Sequence, residues 1–399
     1  MEKKNSKRRM LDGNAAAAEA IKDVNVPVIV MYPITPQTPL VERLSAMVDR
    51  KETDGTCVCV ESEHSAMSYV VGAQLTGVRS VTATASVGLA LMHEVLGVAA
   101  GCRLPIVMPV INRALVAPWS LWCDHQDAMA ERDTGWMQLY AENAQEVYDY
   151  MIMGYRIAEH KDVLLPMMVC MDGFYVSHAM QTVITEDREQ VQAFVGEYQP
   201  CNLMLDPEKP MFVNNLTSPA EFTEMRYQQE TAFGNALGVM ENVFSEFAQV
   251  FGRKYQPMEA VECEDAEVVI VGLGSVCGTV KQVVKEMRAE GKKVGMVKIT
   301  SFRPFPSADV RNAVGHVKRI IVLDRSAGLG AAKAPVALEV TSALEGLECS
   351  VSSCVAGLGG RDVTEALIRS LFEQDAPEIS DQKIWADKKE DAMKIRKRP

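Results

Sequence analysis

No C-x-x-C pair occurs in the sequence. The ten cysteines, at positions 57, 59, 102, 123, 170, 201, 263, 277, 349 and 354, match no zinc or iron–sulfur spacing, so any cluster chemistry must sit on another chain. Aromatic residues are scarce at 6%, while 23 methionines suggest a core filled by flexible thioethers. Positive charge is in deficit. With 41 basic and 53 acidic residues the net charge is −12, which argues against nucleic acid as the main partner. Long hydrophobic runs are missing as well. Uncharged stretches such as 64–78 and 80–93 are interrupted by Ser, Thr, Gln and Gly and fall short of the ~20 apolar residues of a membrane span. The basic start, Met1 to Arg9, is not followed by the apolar segment of a signal peptide, so the expected location is cytoplasmic.

What is present supports a packed globular chain. Of its 399 residues 48% are hydrophobic and 24% charged, and the length predicts two to three domains. Strand-like runs at 26–31, 56–60, 80–85 and 105–111 alternate with helical patterns at 11–22, 40–49, 63–75 and 88–100. This alternation predicts parallel βαβ units. The nearly uncharged helix at 88–100 should be buried on most sides. Residues 112–136 read as irregular and too long for a plain connector, hence functional. A helix at 144–159 and a strand at 165–170 follow, then a proline-broken stretch and a helix over about 220–251. A second α/β unit begins near residue 267, with strands at 268–271, 293–298 and 319–323 and helices at about 276–289 and 363–372. The expected division is 1–255, 256–385 and a charged tail, 386–399.

Several groupings could carry chemistry. Tyr32-Pro33-Ile34-Thr35-Pro36 makes a rigid loop after a strand, where parallel sheets bind ligands; a plain proline turn is the alternative. Glu63 stands where a strand becomes a helix. By residue physics alone it reads first as a helix-capping acid, worth ~0.3–1 kcal/mol. The small residues before Ser86-Val87-Gly88 allow close approach of a ligand or equally of a neighbouring helix. Arg113, at a strand end, suits a substrate carboxylate or a salt bridge with Asp124, Asp127 or Asp133. Gly272-x-Gly274 is a weak dinucleotide signal and reads better as a tight strand-to-helix turn.

In order and spacing, these segments resemble the α subunit of the pyruvate:ferredoxin oxidoreductase family of thiamine-diphosphate-dependent 2-oxoacid oxidoreductases. The resemblance rests on Asp12-Gly13-Asn14, Tyr32–Pro36, Glu61–Met67, Gly88–Glu94, Asn112–Leu115, Asp124-His125-Gln126-Asp127, Arg132–Trp136, Phe302–Pro306 and Leu323-Asp324-Arg325. It implies a doubly wound parallel-sheet domain of the thiamine-diphosphate-binding type, the pyrimidine-binding half, followed by a smaller α/β domain like the transketolase C-terminal domain. It further implies that Glu63 hydrogen-bonds the aminopyrimidine ring, with Tyr32, Pro33, Ser86 and Gly88 around the cofactor. Thr35 and Arg113 would receive the 2-oxoacid, Arg113 holding its carboxylate. Trp119, Trp122, Cys123, Asp124 and His125 would line the substrate pocket. Val87 stands where many relatives have Gln, and Cys123 where many have Asn or Gly.

The resemblance also implies partners. The chain has no Gly-Asp-Gly motif followed by an Asn to hold Mg2+ and the diphosphate. A β subunit should supply that half, and a γ subunit and a ferredoxin-like δ subunit should complete a dimer of heteromers. [4Fe-4S] clusters in partner subunits would carry electrons to ferredoxin, and coenzyme A would take the acyl group. Pyruvate is the expected substrate. The alternatives are a branched-chain 2-oxoacid, an NAD-linked arylglyoxylate enzyme with a flavin subunit as acceptor, and a structural α/β module without chemistry.

Overall fold

A computed structural model describes residues 6–201, 205–374 and 383–389. Most of the charged tail, 390–399, therefore lies outside the described residues. In the N-terminal region, strands Val28–Met31, Thr56–Cys59 and Ser80–Val81 pair in parallel. Strands Val107–Asn112, Met137–Ala141 and Met167–Asp172 form a second parallel set. The two sets are separate sheets that lie side by side, linked by an isolated parallel bridge between Thr84 and Val110. The six residues of Val107–Asn112 and of Met167–Asp172 are all buried, as befits strands covered by helices on both faces.

Helices end where their sequences stop them. Asp12 starts Gly13–Val24 by accepting from the Ala15 N–H, so the helix begins two residues later than its alanine pattern suggests. Ser62 caps Glu63–Leu75 in the same way, which fixes Glu63 in its first turn. Asn143 caps Ala144–Ala158, whose side chains are buried almost throughout. The expected helix at 88–100 divides at Met92 into Ser86–Leu91 and His93–Gly101. It is not buried on most sides, because Val87, Leu91 and Glu94 face outward. Few charges in a helix therefore did not mean full burial here.

The second unit is a six-stranded sheet over Met258–Val261, Val268–Gly272, Val294–Ile299, Arg319–Asp324, Ser350–Val355 and Ile384–Trp385. All its pairings are parallel except that of the edge strand Met258–Val261. The units are not merely tethered. Strand Ser301–Arg303 leaves the second unit and pairs antiparallel with Met137–Ala141 of the first. Buried Lys298 of the second unit lies 3.0 Å from Glu142 and also pairs with Glu146, both of the first. Two further antiparallel strands, Lys7–Leu11 and Gln181–Thr185, form a small separate ribbon.

Candidate active site

The carboxyl ends of the parallel strands gather the chemistry-bearing side chains, as expected for an open α/β sheet. Glu63 is 7% exposed, and among the described residues no group donates a hydrogen bond to its carboxylate. Gly88 lies directly against it. A Cβ at Gly88 would sit 2.5 Å from Glu63 Oε1 and 2.5 Å from Thr84 Oγ1. The hydroxyls of Thr82 and Thr84 are buried and unpartnered among the described residues. An acceptor-only carboxylate, bare hydroxyls and a side-chain-free glycine fit the polar edge of a heteroaromatic ring that carries N–H donors. The residues thus suit the aminopyrimidine end of thiamine diphosphate.

Arg113 and Thr35 lie against each other. The guanidinium donates through Nη1 to the Thr35 carbonyl at 2.8 Å and through Nε to the Ser120 carbonyl at 3.1 Å. Among the described residues no carboxylate pairs with that guanidinium, so the salt-bridge alternative for its side chain is not realised. Burial lowers its pKa from the ordinary arginine value, partly offset by Asp127, and a buried cation without an anion favours an anionic ligand. The Thr35 loop is pinned from beneath, with Asn14 Nδ2 donating to the Pro36 carbonyl at 2.9 Å and Gln37 Nε2 to the Ala83 carbonyl at 3.1 Å. Tyr32 is half-buried, and Pro33 and Thr35 are exposed, at the opening of that loop.

Asp127 stands in the sequence as a possible salt-bridge partner of Arg113 and as the end of the Asp124-His125-Gln126-Asp127 run, with no role assigned. It joins the two groups above. Its Oδ2 accepts the Ser86 N–H at 2.9 Å and the Arg113 N–H at 3.0 Å. Its Oδ1 accepts Asn112 Nδ2 at 2.9 Å and the Ala128 N–H at 2.8 Å. Ser86 itself is held at a φ of 50°, in the left-handed region, and its hydroxyl donates to the Ala114 carbonyl at 2.6 Å. The nearest signal in the sequence was the run of polar residues Asp124-His125-Gln126-Asp127, which does not say which acid points inward.

Cys123, Asp124 and His125 fall into a second, buried cluster. His125 Nε2 lies 2.5 Å from Asp172 Oδ1, and Arg325 Nη1 donates to Asp172 Oδ2 at 2.6 Å. The Ser275 hydroxyl and backbone N–H donate to the same oxygen. Burial would raise the Asp172 pKa, but Arg325, His125 and Ser275 more than reverse it and hold the carboxyl ionised. Burial instead pushes the Cys123 thiol well above its ordinary value, so it stays protonated. The Asp124 carboxylate is occupied by the Gln126 and Gly359 N–H groups. Gly274 serves this cluster, since a Cβ there would meet Asp172 and His125 at 3.1 Å. Trp119 and Trp122 stand outside it and are largely exposed, Trp122 lying 4.6 Å from the ring of Phe174.

Comparison with known proteins agrees with this arrangement. The family model "Pyruvate flavodoxin/ferredoxin oxidoreductase, thiamine diP-bdg" matches residues 19–245, and "Pyruvate:ferredoxin oxidoreductase core domain II" matches 266–368. Pyruvate synthase subunit PorA of Methanocaldococcus jannaschii is 46% identical over 384 residues, covering 96% of this chain and 98% of the relative. Ketoisovalerate oxidoreductase subunit VorA of Pyrococcus horikoshii is 42% identical, covering 92% and 93%. Among solved structures, a 2-oxoglutarate:ferredoxin oxidoreductase from Magnetococcus marinus superimposes with a TM-score of 0.71 at 20% identity; the match covers 94% of this chain but 66% of that one. A split-gene transketolase gives a TM-score of 0.53 at 11% identity, covering 93% and 95%. The fold is therefore a thiamine-diphosphate-binding-type domain followed by a smaller transketolase-C-terminal-like one, and the chain belongs to the pyruvate:ferredoxin oxidoreductase family as an α subunit.

Proposed function

We propose that this chain supplies half of the active site of an oxidoreductase that decarboxylates pyruvate and passes the acyl group to coenzyme A. One observation carries the assignment: Arg113 is a buried cation with no acid partner among the described residues, hydrogen-bonded to the Thr35 loop. Such a group is suited to a carboxylate that arrives with the substrate. Glu63 and Gly88 take the pyrimidine end of thiamine diphosphate, with Ser86, Tyr32 and Pro33 nearby. Bound there, thiamine diphosphate supplies a carbon nucleophile for the oxo carbon and a sink for the electrons left when carbon dioxide departs. Glu63, whose carboxylate is buried, would hold a ring nitrogen of that group through a hydrogen bond. Arg113 orients the substrate through its carboxylate until that carboxylate leaves as carbon dioxide. Cys123, Asp124 and His125 act by holding the pocket wall.

The partners follow from what this chain does not bring. A β subunit would contribute Mg2+ and the diphosphate cradle, with γ and δ subunits and their [4Fe-4S] clusters leading electrons to ferredoxin, in a dimer of heteromers. The outward side chains of Val87, Leu91, Trp119 and Trp122 suit burial against the β subunit. We place the division between the two units near residue 255, just before the sheet of the second unit begins, and the whole in the cytoplasm. Among the described residues no helix is long and apolar enough to cross a membrane. A branched-chain 2-oxoacid remains a second reading because the ketoisovalerate relative is nearly as similar as the pyruvate one.

The test is purification of the native complex through this chain, with assays of thiamine, iron and dye reduction over a panel of 2-oxoacids. We expect thiamine, iron and a preference for pyruvate. Glu63→Gln should leave the complex assembled and lower kcat by about 100-fold or more. Arg113→Ala should raise KM for the 2-oxoacid by about tenfold or more. Unchanged kinetics in both variants would sink the assignment.

A further inference from the structure

Each half of the site just described sits at the end of a regular element. Ser86 and Gly88 lie at the start of the six-residue helix Ser86–Leu91, entered through a left-handed residue. Arg113 lies one residue beyond the strand Val107–Asn112. Among the described residues no hydrogen bond runs directly between the backbone of 86–88 and that of Arg113. Both are instead fastened to one carboxylate.

We propose that Asp127 is the positioning residue that sets the thiamine-facing turn and the substrate-facing arginine in register with each other. This rests on the reading of Glu63 and Arg113 given above. The Asp127 carboxylate is fully buried and takes four N–H donors, two on each oxygen, which fills the acceptor capacity of an ionised carboxylate. Two of those donors, the N–H groups of Ser86 and Arg113, share Oδ2, so neither can move without disturbing the other. The other two, from Asn112 and Ala128, fix the rotation of the carboxylate. Asp127 touches neither Glu63 nor the guanidinium. It acts through the backbone that carries Arg113 and through the Ser86–Gly88 turn that packs against Glu63.

An amide at this position cannot reproduce the arrangement. Whichever way an Asn side chain lies, its NH2 faces two N–H donors. The complex carrying Asp127→Asn should assemble, with KM for pyruvate raised about tenfold or more, within the ~100-fold that a small misplacement can bring. Combined with Arg113→Ala it should raise KM by less than about twofold over Arg113→Ala alone, because its effect on KM for the 2-oxoacid passes through Arg113, while its hold on the Ser86 turn acts on kcat. A purely structural role would lower the amount of assembled complex and its melting temperature without changing KM. Unchanged KM in Asp127→Asn, or a full multiplicative effect on top of Arg113→Ala, overturns the proposal. If Asp127→Asn does not assemble, Asn112→Ala removes one orienting donor and leaves the carboxylate intact. A several-fold rise in KM is then expected, and no rise overturns the proposal. Failure of the site reading is separable, since it shows as wild-type kinetics in Glu63→Gln and Arg113→Ala whatever Asp127→Asn does.

Discussion

Gly88 has no room for a side chain, and what one would strike is the Glu63 carboxylate. A methyl group there would lie 2.5 Å from Glu63 Oε1 and from Thr84 Oγ1, and both obstacles are side-chain ends that can swing away. The cost of Gly88→Ala therefore falls on the placement of the carboxylate more than on the fold. We expect an assembled complex whose melting temperature shifts by only a few degrees and whose turnover falls by about 100-fold. Comparing melting curves with kcat at saturating thiamine diphosphate checks this; a loss of assembly in proportion to the loss of activity would refute it. At this scale the candidate site was legible through the family resemblance and not through spacing: on residue physics alone Glu63 reads first as a helix-capping acid, and the runs holding Thr35, Ser86, Gly88 and Arg113 each leave a structural alternative open. Asp127 was not legible, because its importance lies in which backbone groups it reaches, 41 residues away at Ser86 and 14 at Arg113.

Among the elements, the segment 112–136 does two jobs. Its start presents Arg113, and its middle anchors the first unit to the second through His125, Asp172, Arg325 and Ser275. Cys123 sits in that anchor. Its protonated thiol and burial argue against a nucleophilic or metal-binding part, although Cys123, His125 and Asp172 lie close enough together to suggest one. The two Asp172 oxygens are already taken by His125, Arg325 and Ser275, and the guanidinium beside them repels a cation. Cys123→Ser, nearly equal in size, should therefore change kcat/KM by less than about twofold. A tenfold loss in steady-state assays would return the thiol to the reacting groups. The long periodic helices, such as Ala144–Ala158 and Phe222–Phe251, were readable to within a few residues because their patterns are strong. Strands Lys7–Leu11, Gln181–Thr185 and Ser301–Arg303 were not read. They are short or polar, and their existence depends on partners far away in sequence.

Over the whole molecule, buried carboxyl groups divide the pH range between them. Burial would raise Glu19, but Arg9, Lys22 and Arg43 hold it down at about 2 against an ordinary 4.5. Its stabilising contribution is complete above pH 4.5 and is lost as pH falls toward 2. Asp324 runs the other way. It caps the helix Pro335–Ala343 by accepting the Val336 and Ala337 N–H groups, yet burial raises it to about 7 from 3.8. Burial likewise raises Asp127 to about 6, against its four donors. For both, the folded chain binds a proton that the unfolded chain has already released. Their contribution is thus greatest below about pH 4 and declines as pH rises through 6 and 7. Each such group gives a slope of at most roughly 1.4 kcal/mol per pH unit. Stability should therefore decline from pH 5 to 7.5, while the ionised Asp127 that we assign to positioning is favoured over the same interval. Asp324 lies outside the proposed site, so Asp324→Asn isolates the stability side of that opposition. Urea unfolding of the wild-type and Asp324→Asn complexes at pH 5 and 7.5 provides the check. The variant should show a shallower decline with pH at little change in KM, whereas identical declines would mean that Asp324 is already ionised in the folded protein at pH 5.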